Sequence, residues 1–62
     1  MRKGHYVIVF AKDSKVVSIR WFSRYDDAFK FARHLRKDSH DKLYGMVADE
    51  ETADKYWHPG LN

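Results

Sequence analysis

Four histidines, His5, His34, His40 and His58, are the residues in this chain best suited to metal ligation or proton transfer near neutral pH. They are scattered, and none forms the i, i+4 histidine pair of a helical zinc site. His34 and Asp38 are four apart, so two ligands could share one helix face, but a histidine near a helix C-terminus also interacts well with the dipole. The serines, Ser14, Ser18, Ser23 and Ser39, suit a turn, a strand surface, a helix cap and a loop, and no Gly-x-Ser-x-Gly accompanies them. Gly4, Gly45 and Gly60 are the only glycines, too dispersed for a phosphate-cradling loop. The acidic run Asp49-Glu50-Glu51 reads as a turn with solvated charges. With no cysteine, disulfides and thiolate zinc sites are excluded. The expectation is a protein that is not an enzyme and holds no metal or cofactor.

The basic residues suggest binding instead. Lys30, Arg33 and Lys37 share the outer face of a helix, with Arg24 and Arg36 on its flanks, and could contact phosphates. Arg20, Trp21, Phe22 and Tyr44 could form a platform on which single-stranded bases stack. Against this, aspartates interrupt the basic face, and charge runs usually serve solubility. The net charge of +3 is mild: it permits an anionic partner without requiring one.

The elements that must position these groups follow from periodicity. Tyr6 to Ala11 is β-branched and aromatic and predicts a strand. Lys12-Asp13-Ser14-Lys15 is a turn, and Val16 to Phe22 a second strand, so the pair forms a hairpin. Ser23 is placed to cap a helix over 24–38, with Asp26 and Asp27 in its first turn. Tyr25, Ala28, Phe31, Ala32 and Leu35 form its apolar stripe. Leu43 to Ala48 predicts a third strand, running parallel to the first if the two pair, with the helix as crossover. Residues 53–62, with Tyr56 and Trp57, read as an irregular aromatic tail: an edge strand, a helical turn or a strap. The fold class is two-layer α+β, a hairpin and a third strand packed on one helix in the order ββαβ.

One helix covers one sheet face, yet the first strand is apolar on both. Tyr6, Ile8 and Phe10 point one way, and Val7, Val9 and Ala11 the other. In the second strand Val17, Ile19 and Trp21 share a face, opposite Val16, Ser18, Arg20 and Phe22. Either the aromatic tail covers the second face, or a second copy does in a homodimer, or a partner does. The candidate protein-binding surface is Tyr6, Ile8, Phe10, Phe22, Tyr44 and Met46, with a flanking edge strand ready for strand addition. The candidate nucleic-acid surface is Arg20, Arg24, Lys30, Arg33, Arg36 and Lys37.

Sixty-two residues make one domain, with 1–4 and 58–62 expected to be loose. The apolar run after the N-terminus is too short for a signal peptide or a membrane span, and a cytoplasmic location is expected. The sets Tyr6-Val7-Ile8-Val9-Phe10, Phe22-Ser23-Arg24-Tyr25-Asp26-Asp27-Ala28, Phe31-Ala32-Arg33-His34-Leu35 and Tyr44-Gly45-Met46-Val47 resemble the pattern of short proteins encoded by bacteriophages and plasmids. The resemblance covers residues 5–49. Some such proteins inhibit host enzymes, RNA polymerase among them, by stoichiometric docking. It implies a host-directed binding protein or inhibitor and carries over no functional residue. The basic charge departs from inhibitors that are acidic or mimic DNA.

Overall fold

The computed structural model describes residues 1–61. Strands β1 (His5–Ala11) and β2 (Val16–Phe22) form the hairpin; helix α1 (Tyr25–Asp38), strand β3 (Leu43–Asp49) and helix α2 (Glu50–Tyr56) follow. The protein is α+β, with a sheet ordered β2-β1-β3. Both pairings are antiparallel. The expected parallel pairing of the third strand with the first is therefore wrong, and the reason is topological. The helix links β2 to β3, so those two strands run alike, and β1, inserted between them, opposes both.

Strand β1 is the centre of the molecule. Val7 and Val9 on one face pack with Ala28, and Phe22, Phe31, Ala32, Leu35, Leu43 and Val47 gather around them. Ile8 and Phe10 on the other face pack with Ala48, Val16 and Ile19. Val7 and Ile8 are fully buried. Each such side chain contributes about 1.5–3 kcal/mol by leaving water.

Two local features differ from the sequence reading. A bulge falls where Val9 pairs with Ser18 but Phe10 pairs with Val16, leaving Val17 as the extra residue. It carries Val16 onto the face of Ile8 and Phe10 and leaves Val17 exposed. Ser23 does not cap α1: Arg24, extended at φ −123° and ψ 137°, is the N-cap and supplies no side-chain bond. Asp26 and Asp27 still complement the dipole of the first turn.

The acidic run and the start of the tail form α2. Asp49 ends β3 and caps α2, its carboxylate accepting the Thr52 backbone N–H at 2.8 Å. Glu50 and Glu51 follow in the first turn, where negative charge is favourable. The solvated acidic turn was thus a helix start: a strand running straight into an aspartate cap leaves no loop to break the chain. Helix α2 touches β1 and β3, buries Ala53 fully and sets the Tyr56 ring edge-on to Phe10 at 5.7 Å. At the other end, Arg2 lies 3.7 Å over the Trp21 ring, Trp21 Nε1 donates to the Lys3 carbonyl, and Tyr6 hydroxyl donates to the Arg2 carbonyl. Residues 1–4, expected to be loose, thus have specific partners. The loose end expected at 58–62 extends to Asn62, which lies outside the described residues.

Gly45 sets the closest approach of α1 to the sheet. A Cβ there would stand 2.8 Å from Val7 Cγ1 and 3.2 Å from Ala32 Cα. Gly45→Ala is expected to push α1 from β3 and cost about 1–3 kcal/mol, read as a fall in the urea midpoint. A second expectation concerns pH. The Thr52 backbone N–H, and then its hydroxyl, hold the Asp49 carboxyl below its ordinary value. A lowered folded pKa contributes stability above the unfolded value, about 3.9, that is lost as pH falls through the folded value. Helical circular dichroism should show α2 weakening in that acid range, and Asp49→Ala should weaken it at neutral pH and remove that part of the acid response.

Candidate functional site

The sheet has two outer edges, and they differ. The β2 edge is broken by the bulge, carries Arg20 and is flanked by Arg2 on Trp21. These features discourage another strand from pairing there. The β3 edge is flat. Its register with β1 runs unbroken from Leu43 opposite Ala11 to Asp49 opposite His5. From Leu43 to Ala48 it has no charge and no proline. Since β3 pairs with β1 alone, its outward backbone groups have no partner strand among the described residues.

Exposed apolar groups flank this edge on both sides. On the α2 side, Tyr44 and Met46 are 40% and 36% exposed, and Tyr56 and Trp57 are exposed beyond them. Tyr44 stacks on Phe10 at 5.4 Å and bonds through its hydroxyl to Ser14 Oγ at 3.3 Å, which fixes the ring. On the α1 side the flank follows from helical phase. Phe31 leans toward β2, its ring 5.4 Å from Phe22, while Ala32 meets Gly45 of β3. Phe29 and Arg36 lie on the Ala32 side of the wheel and therefore beside the β3 edge. Phe29 is 45% exposed and stacks on Tyr25 at 6.1 Å. At one end of the edge an open concavity of about 420 Å³ is lined by Lys12, Arg36, Asp41, Leu43 and Tyr44.

The structure redistributes the residues singled out from sequence. Tyr6, Ile8 and Phe10 are buried, so they form core and not an open docking face. Helix α2, which takes in the start of the aromatic tail, lies against β1 with Tyr56 on Phe10, and the N-terminal arm holds Tyr6 through the Arg2 carbonyl. Phe22 lies on the opposite face against Phe31. Only Tyr44 and Met46 of that set remain accessible. Phe29 was missed; an aromatic one position off the apolar stripe of an otherwise charged helix was its signal.

The nucleic-acid set is divided. Arg20 lies 4.9 Å over the Phe31 ring, on the α1 face of the β2 edge. Trp21 and Tyr44 are on the other face at opposite edges of the sheet, so Trp21, Phe22 and Tyr44 do not meet as one stacking platform. Arg24 is the cap residue of α1. Around α1, Lys30, Arg33 and Lys37 share the face turned away from the sheet, as their three- and four-residue spacing dictates, while Arg36 lies on the β3 flank. Arg36 Nε is engaged by Asp41 Oδ1 at 3.2 Å.

Among the described residues no three His, Asp or Glu side chains gather closely enough to hold a metal ion. His40 has a backbone role instead. With φ at 54° it is the first of two left-handed residues, Asp41 at 63° being the second, that end α1: His40 N–H donates to Lys37 O, and Asp41 N–H to Arg36 O at 2.8 Å. Ser39 Oγ then accepts the Leu43 N–H at 3.0 Å and fixes the start of β3. His40→Gly relieves the left-handed strain and is expected to stabilise the fold by about 0.5–1 kcal/mol, measured as a rise in Tm.

No helix among the described residues is long and apolar enough to cross a membrane. Comparison of the chain with protein families, with curated proteins and with solved structures finds no match to it, and the functional reading therefore rests on the β3 edge itself.

Proposed function

We propose that this chain is a small protein-binding module, acting without catalysis, that takes up an extended segment of a partner protein along β3. The observation that carries the reading is the contrast between the two edges. One is broken and charged, and the other is flat, uncharged from Leu43 to Ala48 and flanked by Tyr44, Met46 and Phe29. An added strand would gain main-chain hydrogen bonds along β3 beyond Leu43, whose backbone groups Ser39 Oγ already holds, and would place alternate side chains on the two flanks. Lys12 and Arg36, which line the concavity at one end of the edge, favour a segment with an acidic residue there. A host-directed modulator, as the resemblance to phage-encoded proteins implies, would use such an edge to plug a partner stoichiometrically.

Selection from a displayed library of random peptides tests this reading. The peptides recovered should alternate apolar residues with a period of two. A lysine on the strand discourages pairing, so Met46→Lys should weaken them about tenfold or more, while Val17→Lys on the β2 edge should leave them unchanged. Peptides that bind Met46→Lys as tightly as the unaltered protein would sink the proposal.

A further inference from the structure

We infer that a second copy of this chain is itself an occupant of the β3 edge, two copies joining β3 to β3 across a two-fold axis at Met46 into one six-stranded antiparallel sheet. The inference rests on the edge-binding reading above and adds a regulation: any other partner must compete with self-pairing.

The register argues for it. With Met46 opposite Met46 of the second copy, Tyr44 faces Ala48 and Gly45 faces Val47, a large group against a small one on each sheet face. Just beyond the strand, Lys42 comes to the end where Asp49 and Glu50 of the second copy stand, an attractive placement repeated by symmetry, while Asp41 falls past the strand toward Glu51 of α2. Shifting the axis to Gly45 sets Asp41 against Asp49, which is repulsive, and sets Lys42 against Ala48. A shift by one residue is excluded, because it would place the two faces out of phase.

The helix flank agrees with the same axis. Ala32 stands over Gly45. Phe29 precedes it by three residues, about 4.5 Å along the helix, against about 3.4 Å from Gly45 to Met46 along the strand. The helix runs against β3, so exposed Phe29 comes level with Met46 and meets Phe29 of the second copy beside the axis. Helix α1 also crosses the sheet on a diagonal. It begins with Tyr25 against His5 of β1 and ends with Arg36 beside Leu43 and Tyr44 of β3. An antiparallel two-fold sets the end overhanging the edge in one copy against the receding start in the other, so the helices have room to pass. The interface thus takes up Met46 and Phe29, both left exposed by the monomer. A standard interface needs about 800 Å² per partner, about one sixth of the 4689 Å² surface of the chain.

The absence of cysteine gives a clean test. Residues facing themselves across an antiparallel pair have Cα atoms about 4.5–5.5 Å apart, within disulfide range. Met46→Cys should form a disulfide-linked dimer on mild oxidation, and Val17→Cys at the same concentration should not. Sedimentation of the unaltered protein should give twice 7.4 kDa at high micromolar concentration, with Met46→Lys and Phe29→Lys each raising the dissociation constant about tenfold or more. A mass of 7.4 kDa throughout, together with an uncrosslinked Met46→Cys, overturns the inference. So does a dimer that Val17→Cys crosslinks as readily, or that Met46→Lys leaves intact. A monomer that still binds the selected peptides through Met46 refutes self-pairing and leaves the edge reading standing.

Discussion

Strand β1 has apolar side chains on both faces from Tyr6 to Ala11, and it can be stable only as a central strand covered twice. The rest of the molecule answers that constraint. Antiparallel neighbours occupy both of its edges. Helix α1 covers Val7 and Val9, and α2 closes over the face of Ile8 and Phe10. A three-stranded sheet with one helix would leave Ile8 and Phe10 wet, forgoing about 1.5–3 kcal/mol for each. For a chain that can bury only about 60% of its surface, that is a large share of a total stability of about 5–15 kcal/mol. Helix α2 is therefore part of the fold's cover, with Ala53 buried and Tyr56 set against Phe10.

Covering β1 determines what is left outside. With β1 in the middle, β2 and β3 must be edges. Strand β2 meets its exposure with a bulge, Arg20 and the N-terminal arm packed on Trp21. Strand β3 has Gly45 in its middle because α1 comes so close there, and the same approach phases the helix so that Phe29 emerges beside the edge. The glycine that admits the helix and the aromatic that flanks the edge are two consequences of one contact.

The short α2 explains why the second face is only partly closed. Two helical turns reach from Asp49 back to Phe10, where Tyr56 meets the ring edge-on, and they leave Tyr44 and Met46 at the margin. The accessible surface is consequently a rim around one strand, narrower than a whole sheet face. A rim of this form suits an extended segment better than a flat stack of bases, which needs neighbouring aromatics on one open face.

Periodicity alone determined the hairpin, helix α1, the third strand and the α+β class. Alternation of side chains and three- and four-residue spacing are local properties, and each of these segments is long enough to display them. The surplus of apolar faces on β1 was equally legible, and with it the need for a second cover. Three things were settled only in the folded chain. The direction of β3 depended on which strand separates it from β2. The face of Val16 depended on a bulge, which inserts Val17 and reverses the alternation across it. The identity of the cover, and hence the burial of Ile8 and Phe10 in place of their exposure, depended on seven residues too few to display a helical period. An aspartate cap starts that helix, and contacts with strands distant in sequence hold it, because short helices draw their stability from tertiary packing and not from their own propensity.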